Sequence, residues 1–349
     1  MTMEQSARTE GTVLVTGGSG FLGGWCVVEL MRRGYDVRTT IRDSSREGEV
    51  RESLAGELGT ADRLAFFEAD LSEDAGWDAA IEGCAYVLHV ASPFPPKSPK
   101  DADELIVPAR DGTLRVLRAA TKAGVRRVVV TSSSATVAGA PEPHPNPLTE
   151  EVWTDAADPD TRPYVQSKVI AERAAWEFMA GQGSTDRLAT VLPSAILGPV
   201  LSRDLSYSVQ AVERLLNRSM PGIPRLGFSF VDVRDVAELH VRAMTAPRAG
   251  GQRFLGAGPP LWLSDVARIL RARLGADADR VPTRRVPNFM VRAAARYDPE
   301  LKQIVGQLGK RSEFSSEKAR TWLGWSPRPI EDTIADCGRS LFRVGAVTA

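Results

Sequence analysis

Short apolar runs alternate with segments of helical periodicity over about the first 190 residues of the chain. The β-branched run TVLVTG (Thr12–Gly17) is continuous, which is typical of a strand buried on both faces. The segment FLGGWCVVELMRRG follows it with helical spacing. Because strands that alternate with helices form right-handed crossovers, the pattern predicts an α/β fold with a doubly wound parallel sheet. Further strands are predicted within DVRTTIR, LAFFEADL, IEGCAYVLHVASP, RRVVVTSSS and RLATVLPSAILGP.

The pattern becomes irregular beyond about Pro193. A helix is predicted near 208–217, and SFVDVRDVAELHVRAM indicates a strand followed by a helix that Asp235 caps. We therefore predict a first domain over 11–192 with a returning element around 228–246, a smaller C-terminal α/β lobe over 193–345, and a disordered tail over 1–10.

Composition narrows the range of partners. The 349 residues carry 44 Lys and Arg against 44 Asp and Glu, which argues against nucleic acid or an anionic membrane as a partner. Cys26, Cys84 and Cys337 lie far apart without metal-binding spacing, which indicates free thiols in a reducing compartment. The sequence contains neither a run of about 18 apolar residues nor a signal-peptide core near its N-terminus. We expect a cytoplasmic protein that is a monomer or a homodimer.

Three glycines lie between the first predicted strand and the first predicted helix. Gly17, Gly20 and Gly23 stand three residues apart in VTGGSGFLGGW. The first permits a tight turn, the second lets backbone N–H groups reach a pyrophosphate, and the third lets the helix pack close to the strand. The helix N-terminus adds unsatisfied N–H groups and a partial positive charge. The sequence therefore predicts a Rossmann-type dinucleotide site that also includes Phe21 and Leu22.

Residues after the next strands predict how the rest of the dinucleotide binds. Arg42 follows the second strand, where NADP sites place an arginine for the 2′-phosphate and NAD sites place an acidic residue. Arg46 could supply a second cation, whereas the acidic Asp43 complicates the choice; we favour NADPH. His89, alone in an apolar strand, is interpreted as a packed core residue. Contacts with the adenine and the middle of the cofactor are expected from Asp70, Leu71, Val90, Ala91 and Ser92.

A tyrosine and a lysine share one face of a later predicted helix. Tyr164 and Lys168 stand four residues apart in YVQSK, so both side chains project from that face. A phenol with a pKa of about 10 exchanges protons poorly at neutral pH. A neighbouring ammonium group favours the phenolate and lowers this pKa. We predict Tyr164 as the proton donor, and Lys168 as the residue that lowers its pKa and binds the nicotinamide ribose.

A serine cluster ends the fifth predicted strand, in VVVTSSSATV. A hydroxyl at the carboxyl end of that strand could hydrogen-bond a substrate carbonyl oxygen opposite the tyrosine. We assign this role to Ser133. Ser134 is the alternative, because the extra serine leaves two registers open. A serine hydrolase is not supported, since the G-x-S-x-G nucleophile elbow is missing.

Together these motifs resemble the extended short-chain dehydrogenases/reductases. Within that family the chain is most similar to the dihydroflavonol-reductase-like group, which includes cinnamoyl-CoA reductases and NADPH-dependent aldehyde and methylglyoxal reductases. The resemblance covers roughly residues 11 to 345 and implies that Pro193 and Ile196 border the nicotinamide. One departure is TSSSATV, which is closer to the sugar-nucleotide epimerase form. The resemblance rests on VTGGSGFLGGW, VRTTIRD, LHVASPF, ELIVPARDGTLRVLRAA, RVVVTSS, YVQSKVIAERAAWEF, LPSAILGP, FVDVRDVAELHVRAM and SSEKARTWLGWSPRPIEDTI.

The predicted activity is the reversible, NADPH-dependent reduction of an aldehyde or ketone. The alternatives are an NAD-dependent sugar-nucleotide epimerase and a non-catalytic dinucleotide sensor that binds protein partners. The substrate is expected to be a small carbonyl compound or alcohol. Its pocket is expected to include Phe94, the 141–147 loop and, within 202–230, Tyr207, Leu215, Met220 and Phe228.

Overall fold

A seven-stranded parallel sheet forms the centre of the computed structural model, which describes residues 11–93, 101–142, 144 and 146–348. The predicted tail over 1–10 and Phe94 lie outside the described residues. The strands of this sheet are β1 (Thr12–Val15), β2 (Asp36–Ile41), β3 (Leu64–Glu68), β4 (Cys84–His89), β5 (Arg127–Thr131), β6 (Leu188–Pro193) and β10 (Gln252–Gly256). Their spatial order is β10–β6–β5–β4–β1–β2–β3. The predicted α/β fold with a doubly wound parallel sheet is confirmed.

Helices cover both faces of this sheet, because its central strands are apolar on both sides. One face packs against α1 (Phe21–Arg32), α2 (Glu47–Leu58) and α8 (Val233–Thr245). The other packs against α3 (Trp77–Ile81), α4 (Asp103–Lys122) and α6 (Pro163–Gly181). A short helix, α5 (Ala135–Ala138), follows β5.

Two small sheets and most of the remaining helices form the C-terminal lobe. Its three-stranded sheet consists of β7 (Ala195–Leu197), β9 (Gly227–Asp232) and β11 (Pro260–Trp262), in the order β11–β9–β7. Strands β8 (Ile223–Pro224) and β12 (Arg285–Val286) form a parallel pair. Its helices are α7 (Tyr207–Leu216), α9 (Leu263–Leu274), α10 (Asn288–Ala294), α11 (Pro299–Ile304) and α13 (Ile330–Arg343). Helix α12 (Glu317–Leu323) instead packs against α8 and β10 on the main sheet.

The segment around 228–246 divides between the two parts of the fold. Strand β9 belongs to the three-stranded sheet, whereas α8 packs against α1 on the main sheet. The strand that joins the main sheet is β10, paired with β6, and the sequence analysis did not predict it. The predicted cap of α8 is also wrong. Asp232 caps the helix by accepting a hydrogen bond from the Arg234 N–H at 2.8 Å, while Asp235 accepts bonds from Arg328.

The strand order reverses between β1 and β4, which pair in parallel at the centre of the sheet. A crevice outside the carboxyl ends of the strands is expected at such a reversal, and it is where ligands bind in open α/β sheets. The glycine loop after β1 and the segment after β4 meet there. Every helix in the described part of the chain is too short or too polar to span a bilayer.

Two of the three histidines are buried and are expected to make the fold sensitive to acid. Burial lowers the pKa of His89 to about 3 and that of His240 to about 4. Below the unfolded pKa of about 6.5 the unfolded chain therefore binds more protons than the native one. The free energy of unfolding then decreases as the pH is lowered. Urea unfolding is expected to give a free energy about 2–3 kcal/mol lower at pH 5.5 than at pH 7.5.

The variant His240→Gln provides the control for this prediction. It removes one of the two buried imidazoles, so the loss between pH 7.5 and pH 5.5 should fall by about half. Equal pH dependence in both proteins would show that other groups cause the acid sensitivity.

Candidate active site

The loop between β1 and α1 has the shape of a phosphate cradle. Gly17 has a φ of +71°, and its carbonyl oxygen accepts a hydrogen bond from the Gly20 N–H at 3.0 Å. A β-carbon at Gly23 would overlap that carbonyl oxygen, so helix and loop approach as closely as they do only because this residue is glycine. Helix α1 begins at Phe21, and its first N–H groups face no intrahelical acceptor. These features fit a bound pyrophosphate.

Threonines that the sequence analysis did not select shape this cradle. The Thr39 hydroxyl accepts a hydrogen bond from the Gly18 N–H and donates one to the Val15 carbonyl, both at 2.9 Å. Thr16 is fully buried, and its hydroxyl accepts bonds from the N–H groups of Val90 (3.0 Å) and Ala91 (2.9 Å). The sequence signal for these threonines was a polar residue in or just after an otherwise apolar strand. Thr16 connects the loop after β1 to the segment after β4.

The end of the crevice predicted to hold the adenosine presents an arginine. Arg42 is exposed and directly follows β2. Asp43 instead caps a turn of 3₁₀ helix by accepting a hydrogen bond from the Ser45 N–H at 2.9 Å. Asp70 accepts bonds from the N–H and hydroxyl of Ser72, which hold the pKa of its carboxyl below the usual value. Both carboxylates are therefore engaged within their own loops.

A cleft of about 410 Å³, which includes its open mouth, lies beside the cradle. It is bordered by the cradle residues Gly18 and Gly20, by Arg46, and by Leu201 from the C-terminal lobe. Arg46 pairs with Glu49 at 3.3 Å, and both side chains are substantially exposed. The cleft thus gives the phosphate cradle an opening to solvent.

His89 is a core residue, as the sequence analysis interpreted it. Its Nδ1 lies 3.0 Å from the Thr16 hydroxyl and its Nε2 lies 3.4 Å from the Thr113 hydroxyl. Because burial keeps the ring neutral, with a pKa of about 3, it is unsuited to act as a general base.

The polar side chains predicted for catalysis meet at the carboxyl ends of β4 and β5. The Lys168 ammonium donates a hydrogen bond to the Ser92 hydroxyl at 2.9 Å. Tyr164, one turn earlier on α6, is hydrogen-bonded to Ser133. Helix α6 carries both residues on one face, as their spacing predicts, and brings that face to the strand ends.

The pKa of Tyr164 differs from the sequence-based expectation. Burial raises it above the ordinary value, and this outweighs the lowering by the Ser133 hydrogen bond and by the charge of Arg162. Burial also lowers the pKa of Lys168 to about 8, against the opposing effect of Glu172. The phenol is therefore protonated at neutral pH, the state that a proton donor requires.

The two serines left open by the sequence occupy different environments. The Ser133 hydroxyl accepts a hydrogen bond from the Ala135 N–H at 3.1 Å and bonds to Tyr164. Ser134 stands at the N-cap of α5, and its N–H donates to the Pro193 carbonyl at 2.9 Å. The hydrogen bond to Tyr164 favours Ser133 over Ser134 for the predicted contact with the substrate. The N–H of Ser134 instead connects the serine loop to the end of β6.

The segment expected to border the nicotinamide runs from β6 into β7. Pro193 is the last residue of β6, and Ile196 lies in the middle of β7, paired with Val231 of β9. This segment continues from the strand beside the serine loop into the C-terminal lobe. The nicotinamide contacts themselves stay a prediction.

Only some of the residues predicted to form the substrate pocket are accessible to solvent. Leu215 is fully buried in the core of the C-terminal lobe and is not a pocket residue. Tyr207 is 57% exposed, whereas Met220 and Phe228 are partly buried against that core. In the 141–147 loop, residues 143 and 145 lie outside the described residues.

Comparison with known proteins decides the family. Residues 13–255 match the model of the NAD dependent epimerase/dehydratase family. The chain belongs to this family, the extended short-chain dehydrogenases/reductases. It is 36% identical over 344 residues to tetraketide alpha-pyrone reductase 1 of Arabidopsis thaliana, and the aligned region covers 97% of each chain. It is 37% identical over 271 residues to a cinnamoyl-CoA reductase of Medicago truncatula, which covers 76% of this chain and 82% of that one.

Structural similarity alone does not separate the activities within the family. The yeast methylglyoxal/isovaleraldehyde reductase complexed with NADPH superposes with a TM-score of 0.76 at 25% identity, over 96% of this chain and 100% of that one. A UDP-glucose-4-epimerase of Stenotrophomonas maltophila gives 0.77 at 23% identity, over 96% and 99%, which shows the fold alone. The two plant relatives above and a dihydroflavonol 4-reductase of Zea mays, 34% identical over 274 residues, are however reductases. The protein is an NAD(P)-dependent oxidoreductase that acts on carbonyl groups.

Substituting Gly23 tests the close packing of the cradle. Gly23→Ala places a methyl group against the Gly17 carbonyl, so the loop must shift. We expect the free energy of unfolding to fall by about 1–3 kcal/mol and NAD(P)H affinity to fall with it. Gly56→Ala in α2 is the control: nothing lies within 4 Å of a β-carbon there, so NAD(P)H affinity should stay unchanged and stability should rise by up to about 1 kcal/mol. Unchanged affinity in Gly23→Ala would contradict the cradle.

Proposed function

We propose that the protein is an NADPH-dependent reductase of small aldehydes or ketones, with Tyr164 as the proton donor. The observation that carries the proposal is the pairing of Tyr164 with Ser133 and of Lys168 with Ser92 at the carboxyl ends of β4 and β5. Ligands of open α/β sheets bind at this edge.

The roles of the residues follow from their chemistry. When bound, the dinucleotide supplies the hydride. The Tyr164 hydroxyl donates its proton to the carbonyl oxygen as negative charge develops there, and the Ser133 hydroxyl donates a hydrogen bond to the same oxygen. The Lys168 ammonium favours the phenolate left behind and donates a hydrogen bond to the nicotinamide ribose.

The protonated state of the Tyr164 phenol suits carbonyl reduction. A phenol that stays protonated across the neutral range is loaded with the proton that the carbonyl oxygen must receive. The reverse reaction needs the phenolate, so it is expected to gain rate as the pH rises.

The preference for NADPH over NADH is assigned to Arg42. Its guanidinium lies beyond β2, while Asp43 and Asp70 are held by their own loops. Arg42→Asp replaces the cation by a carboxylate that repels a 2′-phosphate. We expect the ratio of kcat/KM for NADPH over NADH to fall by about 10- to 100-fold, which corresponds to one charge-assisted hydrogen bond.

The matched control for Arg42→Asp is Arg126→Asp. Arg126 is exposed and precedes β5, at the opposite end of the sheet from the crevice. The variant Arg126→Asp makes the same change in charge and should leave the ratio of kcat/KM for NADPH over NADH unaltered. An equal change in both variants would mean that overall charge, and not Arg42, sets the preference.

A substrate screen tests the proposal as a whole. Purified protein is incubated with NADPH and a panel of aldehydes and ketones, and NADPH consumption is followed by its absorbance. The proposal expects consumption that depends on Tyr164. Release of stoichiometric NAD on denaturation, with no NADPH consumption, would instead support a sugar-nucleotide epimerase.

A further inference from the structure

Resting on the proposed function, we propose that Glu172 is a positioning residue of the active site. Its buried carboxylate fixes the serine strand end and supplies the negative charge that faces the Lys168 ammonium. The sequence analysis did not select Glu172, and the reaction described above does not use it.

The first support is the set of hydrogen bonds that Glu172 accepts. Its side chain, 1% exposed, accepts bonds from the hydroxyls of Ser132 (2.6 Å) and Thr190 (2.7 Å) and from Arg253 Nε (2.9 Å). These donors come from the end of β5, from β6 and from β10. One carboxylate on α6 thus connects the catalytic helix to three strands. Because Ser132 directly precedes Ser133, this contact fixes the register of the serine loop against Tyr164.

Arg253 extends the connection to the loop before α6. It is 9% exposed and donates hydrogen bonds to the Thr136 hydroxyl (2.9 Å) and the Val152 carbonyl (3.1 Å). Its guanidinium lies 3.6 Å from the centroid of the Trp153 ring. The unpredicted strand β10 therefore contributes to the site through the residue that neutralises Glu172.

The second support is the cavity that Glu172 shares with Lys168. Both residues line a cavity of about 290 Å³, which includes its open mouth, together with Ser92 and Ser132. The two lie four residues apart on α6 and therefore on one face of it. The carboxylate and the ammonium therefore border the same space.

The charged and titratable groups around Lys168 can be named element by element. Glu172 from its own helix and His89 from β4 line the cavity with it, and Tyr164 lies one turn before it on α6. The cavity residues contributed by α4 and β5 are Ala109, Thr113, Val130, Thr131 and Ser132, which carry no charge. Arg253 binds Glu172 and does not line the cavity as described.

These charges determine when Lys168 loses its proton. His89 is neutral, so Glu172 is the negative charge that opposes the effect of burial on the pKa of Lys168, which is about 8. A purely structural role for the Glu172–Arg253 pair would affect stability alone. A positioning role would also set the pH at which Lys168 stops binding the ribose.

The pH dependence of NADPH binding tests the positioning role of Glu172 without requiring turnover. Its dissociation constant is measured by fluorescence between pH 7 and pH 9.5 for the wild type, Glu172→Gln and Thr190→Val. Glu172→Gln retains a hydrogen-bonding side chain but removes the charge. We expect the pH at which affinity falls to move down by about one unit. Thr190→Val removes one hydrogen bond to the same carboxylate and should leave that pH unchanged.

The double variant Glu172→Gln/Arg253→Met covers the case in which the single variant does not fold. It leaves no buried charge unpaired, so it should fold. Because it also removes the Arg253 cation, we expect its midpoint to move down by less than that of Glu172→Gln. The alkaline fall of kcat/KM should move in parallel. A wild-type midpoint in the folded variants, with only thermal stability reduced, would overturn the proposal. Binding that shifts as expected without carbonyl reduction would overturn the proposed function instead.

Discussion

Tyr164→Phe is expected to lower kcat for carbonyl reduction by about 10²- to 10⁴-fold, the usual contribution of a positioned general acid. Phe keeps the ring and its packing on α6 but removes the hydroxyl that bonds to Ser133. The dissociation constant for NADPH should change little, because the phosphate cradle and Arg42 lie elsewhere in the crevice. Steady-state kinetics and a fluorescence titration measure the two quantities.

The control for this prediction is another tyrosine. Tyr297 is 91% exposed, so Tyr297→Phe should leave kcat at the wild-type value. A Tyr164→Phe protein that retains most of its activity would remove Tyr164 from the mechanism. It would then be necessary to find the proton donor among the other polar groups of the crevice.

Arg253→Met is expected to have the largest effect on stability, about 3–5 kcal/mol of unfolding free energy. The substitution removes the cation but leaves the Glu172 carboxylate buried, and an uncompensated buried charge costs far more than a lost surface contact. Equilibrium urea denaturation near neutral pH measures the loss. Adding Glu172→Gln should recover part of it, since the second change removes the unpaired charge.

A surface ion pair provides the comparison. Lys122 and Asp78 lie 2.5 Å apart, but their side chains are 73% and 65% exposed. Lys122→Met should therefore cost no more than about 1 kcal/mol. Equal losses in the two variants would show that the buried pair contributes no more than an ordinary surface contact.

The sequence predicted those parts of the site whose residues lie close together along the chain. The strand–glycine–helix order predicted the phosphate cradle, and the four-residue spacing of Tyr164 and Lys168 predicted their common face on α6. The spacing could not predict the pKa of Tyr164, because burial, which dominates it, depends on the packing of several elements.

Features that depend on distant residues escaped the sequence analysis. Glu172 and Arg253 are 81 residues apart along the chain, so nothing local indicates that they pair. The short run that forms β10 lies between glycines and has little periodicity, although pairing with β6 makes it a strand. Capping of α8 by Asp232 instead of Asp235 depends on where β9 ends, and sequence patterns locate such boundaries poorly.

Transfer of deuterium from the cofactor to the product is the most direct test of carbonyl reduction. NADPH carrying deuterium at the transferable position of C4 is incubated with the enzyme and a carbonyl substrate found in the screen, and the alcohol is analysed by mass spectrometry. We expect one deuterium on the carbinol carbon, transferred stereospecifically, and about 10²- to 10⁴-fold slower transfer with Tyr164→Phe. An alcohol without deuterium, or product formed while the nucleotide stays bound and unchanged in redox state, would contradict a carbonyl reductase.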